Sequence, residues 1–193
     1  MRNEVLRRVL KALAWLLAVL LLAPVIAFAA YDLIEFQPHR AEIQRLIDEA
    51  APAEKSPPAV LRQVVHAAHP DATSSLSGSA VRLLRVRLDF ASDTRTLHRQ
   101  MKETLWWALV TLHCSEQEQS TLYLSLSYMG NDTYGFSKAA PALVGVPLAD
   151  VSLEQAARLV AVTRAPSSYL RNPERWARAS EVLLARAKAL PPQ

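Results

Sequence analysis

A single cysteine, Cys114, excludes an internal disulfide and a thiolate zinc cluster, and leaves that thiol as a small apolar filler in a helix. Glycine is scarce as well. The chain has four, and three of them, Gly130, Gly135 and Gly145, fall between Leu122 and Pro173. β-Branched runs are short while Ala and Leu abound, which argues against a sheet-rich chain and predicts an all-α one. Nor is there a general excess of charge. The net +4 is mostly local: Arg2, Arg7, Arg8 and Lys11 against Glu4 give residues 1–31 a charge of +3, and the rest carries 18 basic against 17 acidic residues. A nucleic-acid-binding domain usually shows a basic surplus over its body, so that partner is excluded. At 193 residues the chain is long enough for one core and one domain.

One long apolar run is present. Ala12 to Tyr31 holds no charge and is interrupted only by Pro24. About 20 apolar residues are what a helix needs to cross a bilayer. The basic flank predicts a cytoplasmic N-terminus, a single pass of the bacterial inner membrane and an extracytoplasmic body. A cleaved signal peptide is the alternative, since Ala27-Phe28-Ala29 offers an A-x-A-like site with Pro24 ahead of it.

After a short connection, residues 39–50 read as an amphipathic helix with Ile43, Leu46 and Ile47 on one side. The segment 51–58 reads as a linker. Pro57 and Pro58 open a helix whose Leu61, Val64, Val65 and Ala68 share a face, stopped by Pro70. A basic helix is expected over about 79–90, and a longer one from Thr94 to about Cys114. Ser115-x-x-Glu118 and Ser152-x-x-Gln155 are capping boxes, and Asn172-Pro173 caps a last helix with Trp176, Leu183, Ala187 and Leu190 inward. Leu122 to Ser127 alternates with period two and by local pattern alone is a strand.

Between Leu122 and Pro173 the order is an apolar run ending Tyr128-Met129-Gly130, then Tyr134-Gly135, Ala139-Ala140, Gly145-x-Pro147-Leu148, an Ala-rich helix, Ala165-Pro166-Ser167-x-Tyr169 and Asn172-Pro173. Without gaps, this resembles the distal part of the bacterial peptidoglycan glycosyltransferase domain (glycosyltransferase family 51). The resemblance implies a lysozyme-like helical fold and settles the ambiguous segment as helix. It divides the chain into an anchor at 1–31, a juxtamembrane helix and linker at 32–56, and the domain at 57–190. It also implies a membrane-apposed protein of cell-wall synthesis, with lipid II, nascent glycan or another cell-wall synthesis protein as partner.

Members of that family polymerise lipid II. A carboxylate deprotonates the acceptor hydroxyl, and cationic groups or a metal stabilise the leaving pyrophosphate. Laid on the family's E-D-x-x-F motif, this chain has His69 at the Glu, Pro70 at the Asp and Thr73 at the Phe. The G-G-S-T-I-T-Q-Q motif is best matched from Ser77 to Leu84, keeping Gly78 and Ser79 but placing Arg82 where a substrate-contacting side chain is lost. The interval between these motifs is short. Of R-K-x-x-E, Arg99 and Glu103 remain, with Gln100 at the Lys and Lys102 nearby. Thr121, Ser125 and Gln155 replace further polar positions. Tyr123, Gly130, Tyr134, Gly135, Ala139, Pro147, Pro166 and Tyr169 match. The retained positions mainly turn or pack the backbone.

The resulting catalytic candidates are Glu103 and His69, and the substrate-binding candidates are Arg99, Lys102, Ser79 and Arg82. Each has a plainer reading. Arg99 and Glu103 are spaced to pair along a helix; the basic stretch Arg82, Arg85, Arg87, Arg95, Arg99, Lys102 equally suits a solvated face; His69 suits a helix end. His66 and His69 have metal-ligand spacing but no third ligand, so no metal is expected. No cofactor is expected either, although some family members use a divalent cation. Trp106-Trp107 suits the membrane interface or the core, and Tyr128 and Tyr134 suit sugar stacking or a turn. A general base is worth about 10²–10⁴-fold and one electrostatic donor about 10²–10³-fold. Losing both predicts a degenerate relative that acts by binding. The alternatives are an active enzyme with altered catalytic groups and a structural adaptor without glycan affinity.

Overall fold

The computed structural model describes residues 2–70, 75–89 and 96–190. Thr73, Thr94 and Arg95, named above, lie outside them. The chain divides into two units, Met1–Ala41 and Glu42–Gln193. The first is built on α1 (Arg2–Tyr31), which is long and apolar enough to cross a membrane. Pro24 lies inside this helix and does not end it. A π-helical turn (Asp32–Phe36) and a 3-10 turn (Gln37–His39) follow, with Gln37 donating to Asp32 at 3.1 Å.

The second unit begins within α2 (Arg40–Glu49) and continues through α3 (Pro52–Lys55), α4 (Ala59–Ala68), α5 (Leu76–Leu88), α6 (Thr96–His113) and α7 (Glu116–Leu126). A two-stranded hairpin, β1 (Tyr128–Gly130) and β2 (Thr133–Tyr134), leads into α8 (Phe136–Val144), α9 (Leu153–Val162), α10 (Pro166–Arg171) and α11 (Pro173–Lys188). The all-α expectation holds, with this hairpin as the one local exception among the described residues.

The core forms where α4, α9 and α11 meet. Leu61, Val64 and Val65 of α4 face Ala156, Leu159 and Val160 of α9, with Trp176, Leu183 and Ala187 of α11. Polar ties lock the register. Gln63 donates to the Ala187 carbonyl at 2.8 Å, and the Trp176 indole N–H to the Arg158 carbonyl at 2.9 Å, beneath the Arg158 guanidinium. Trp106 is fully buried, which places it in the core.

α7 explains the misleading alternation. Leu122, Tyr123 and Leu124 are all buried, together with Gln119 and Thr121, so the helix is covered on most sides and has no polar stripe to impose a 3.6-residue period. Its start is fixed by the expected capping box: Glu118 accepts from the Ser115 amide at 2.7 Å, and Ser115 Oγ accepts from the Glu118 amide at 3.3 Å.

In the hairpin, Asn131 and Asp132 have φ of 50° and 55°, the double left-handed turn that matches strand twist. Gly130 and Gly135 flank it at φ 93° and 89°, where a side chain would be strained. A Cβ on Gly130 would also come within 2.3 Å of Leu170 Cδ1, and one on Gly135 within 3.0 Å of Glu54 Oε1.

The segment expected as a linker is ordered architecture. Glu54 of α3 is 4% exposed. Its carboxylate accepts from the Ala51 amide at 3.1 Å and, across 83 residues, from the Ser137 amide at 2.8 Å in the first turn of α8. A buried charge is tolerable where backbone donors and a helix N-terminus meet it.

Candidate functional site

The site is organised by the end of α4. Its apolar face points into the core, so the chain leaves the helix at a defined point and His69 is the C-cap, its amide donating to Val65 and His66 carbonyls at 3.1 Å. The imidazole meets the Tyr123 ring edge-on, centroids 5.1 Å apart at 82°. Tyr123 is buried, which pushes its phenol up to about 12, and its hydroxyl lies 3.2 Å from Thr163 Oγ1. His69 is therefore held by packing from α7.

Two clefts meet at His69. The narrower, about 490 Å³, brings together Ser79 and Arg82 of α5, Tyr128 of β1, and Thr163 and Arg164 after α9. No carboxylate is among its described lining residues, and neither Arg82 nor Arg164 makes an ion pair among the described residues. The wider cleft, about 840 Å³, has Arg62, His66, Gln119 and Glu116 on its walls. Glu116 is in the first turn of α7, where a carboxylate complements the helix dipole.

Glu103 lies elsewhere. It borders a separate hollow of about 490 Å³ with Gly78, Arg82 and Trp107. Its carboxylate is bound by Arg85 at 2.8 Å, an inter-helix pair between α5 and α6, and not by Arg99 as the spacing suggested. Trp107 is fixed by donating to Ser75 Oγ at 3.0 Å, which also caps α5 by accepting from the Gly78 amide at 3.1 Å. The structure thus brings His69, Ser79 and Arg82 to one cleft and puts Glu103 in another, with Arg82 bordering both. Arg99 and Lys102 are half-buried on α6 and line neither.

Thr121 and Gln155, two of the positions expected to be substituted, hold backbone groups. Thr121 donates to the Gln117 carbonyl at 2.8 Å inside α7. Gln155 closes the α9 capping box, accepting from the Ser152 amide at 2.8 Å and donating to the Val144 carbonyl at 3.1 Å. Arg164, Thr163 and Glu54 were missed by sequence reasoning. Arg164 directly precedes the Ala-Pro-Ser turn, and only that adjacency marked it. No group of three His, Cys, Asp or Glu side chains suited to a metal occurs among the described residues.

A helical body of this kind, with the cleft at the end of α4 and the distal turns in order, defines a transglycosylase domain. The transglycosylase family model matches residues 56–188, and the chain belongs to that family, with its lysozyme-like helical fold. It is 31% identical over 100 residues to penicillin-binding protein 1A of Pseudomonas aeruginosa, covering 51% of this chain and 12% of that protein. With penicillin-binding protein 1A of Aquifex aeolicus it shares 32% identity over 99 residues, covering 50% and 14%. With penicillin-binding protein 2a of Streptococcus pneumoniae it shares 30% over 92 residues, covering 48% and 13%. The matched stretch therefore spans about an eighth of the length of these relatives.

Proposed function

We propose that this chain is a membrane-anchored, peptidoglycan glycosyltransferase-like protein of cell-wall synthesis that binds lipid-linked glycan without polymerising it. One observation carries the reading: the cleft holding His69, Ser79 and Arg82 has no carboxylate among its described lining residues. A general base must lie within hydrogen-bond reach of the hydroxyl it deprotonates. Glu103 borders a different hollow and is already bound to Arg85. What the cleft does offer is two guanidinium groups without ion pairs among the described residues and the hydroxyls of Ser79 and Tyr128, a set suited to an anionic sugar ligand. α1 is the anchor in this reading, with its basic end cytoplasmic and the body on the outer face of the inner membrane.

The test is the full-length chain in detergent with purified lipid II, followed for polymer and for binding, with and without divalent cation. Saturable binding and no polymer above background are expected. Polymer formation abolished by His69→Ala or Glu103→Gln would overturn the reading in favour of an active enzyme. Absence of any binding would overturn it in favour of an adaptor without glycan affinity.

A further inference from the structure

A third cleft, of about 720 Å³, opens on the far side of Leu83 and Tyr128, which form the wall it shares with the cleft of His69. Its floor is apolar: Leu46 from α2 and Ala50 just after it, Leu83 and Val86 from α5, and Leu126 from α7. Val86 is 73% exposed there, and Tyr134, tilted against Tyr128 at 5.2 Å, is 55% exposed. Apolar residues seldom stand open beside a cavity of this size without an occupant.

The polar groups at the margin indicate the occupant. Arg87 and Lys138 are both exposed and make no ion pair among the described residues. The two carboxylates of the lining are differently placed. Glu54 already holds one backbone donor on each oxygen, and Glu49 stands 3.9 Å from Arg45. Ser137 Oγ, buried at the same wall, has no hydrogen-bond partner among the described residues. Two cations without an ion pair among the described residues, Arg87 sharing only the field of Glu42, and a hydroxyl with no partner among them, beside an apolar floor, match an amphiphile with an anionic head. A lipid is also the ligand a bilayer-anchored chain meets at highest local concentration, and Leu46 follows the apolar helix by only 15 residues.

We propose that this cleft binds one anionic membrane lipid, with acyl chain on the Leu46, Leu83 and Val86 floor and headgroup phosphate between Arg87, Lys138 and Ser137. The headgroup position is distinct from the glycan cleft, because none of these three residues lines the cleft of His69.

The test uses the full-length chain in non-ionic detergent, titrated with a water-soluble short-chain phosphatidylglycerol and read by native mass spectrometry. One lipid per chain is expected, with affinity at least tenfold above that of the matching phosphatidylcholine. Glycerol phosphate alone should not be retained. Arg87→Gln/Lys138→Gln should weaken retention at least tenfold. Val86→Asp should do the same through the floor, and since all three side chains are exposed these variants keep the fold, checked by unchanged circular dichroism. Equal retention of both lipids, retention of the free headgroup, or variants indistinguishable from the parent would each overturn the proposal. Lipid II binding measured in parallel should be unchanged in all variants, so failure here is distinct from failure at the glycan cleft.

Discussion

Removing the buried Glu54 carboxylate tests whether the α3 segment is architecture. The carboxylate accepts two backbone N–H groups, from Ala51 and Ser137, inside a site only 4% exposed. Hydrogen bonds to a charged group are worth about 1.5–3 kcal/mol each, and a buried donor left without a partner costs about 1–3 kcal/mol. In Glu54→Gln the amide oxygen retains one donor while its NH2 faces the other, so a loss of roughly 2–3 kcal/mol is expected. In Glu54→Ala both donors lose their acceptor and a void opens beneath Gly135, for a loss of roughly 3–5 kcal/mol. For a body of this size 1 kcal/mol corresponds to about 2–4 °C, so the melting temperature should fall by about 4–12 °C for Gln and further for Ala. Full-length protein in non-ionic detergent, followed by near-ultraviolet circular dichroism, reports chiefly the body, where Trp106 and Trp176 are buried, whereas Trp15 of α1 is exposed. A Glu54→Ala shift below about 2 °C would refute the reasoning, because it would mean the carboxylate is either hydrated or replaceable.

Three further outcomes follow from particular contacts. Burial raises the Tyr123 phenol from about 10 to about 12, so the folded state favours the neutral form; this contribution, about 2–3 kcal/mol, is complete below pH 10 and is lost as pH rises from 10 to 12. Tyr123→Phe should remove that part of the alkaline loss, which melts between pH 9 and 11.5 would detect. Gly130→Ala should cost about 2–3 kcal/mol through its φ of 93° and the displacement of Leu170, and Leu170→Ala in the same chain should recover only the displacement component. His69→Glu restores a carboxylate to the cleft, yet no polymer is expected, because the other polar positions remain substituted. An adverse charge should instead weaken lipid II binding by roughly fivefold, about 1 kcal/mol, and polymerisation by this variant would show that one residue alone had been limiting.

The difference between what was and was not legible follows the range of the interactions. The apolar N-terminal helix, the capping boxes at Ser115 and Ser152, the Asn172 cap and the inward face of α4 rest on neighbours within four residues. Composition and spacing therefore determined them, and the turn-forming order from Gly130 to Pro173 determined the family. The clefts rest on pairs far apart in the chain, and only the folded body decided them. Local spacing offered Arg99 to Glu103, but the packing of α5 on α6 gave it Arg85. No pattern near Glu54 marks a carboxylate that caps a helix 83 residues away. Arg164 became a cleft residue only because α9 ends beside α4 and α5. The sequence by itself determined most of the helices and the order of the distal turns; tertiary packing decided which candidate side chains share a cavity, since electrostatic partnership depends on distance in space and not along the chain.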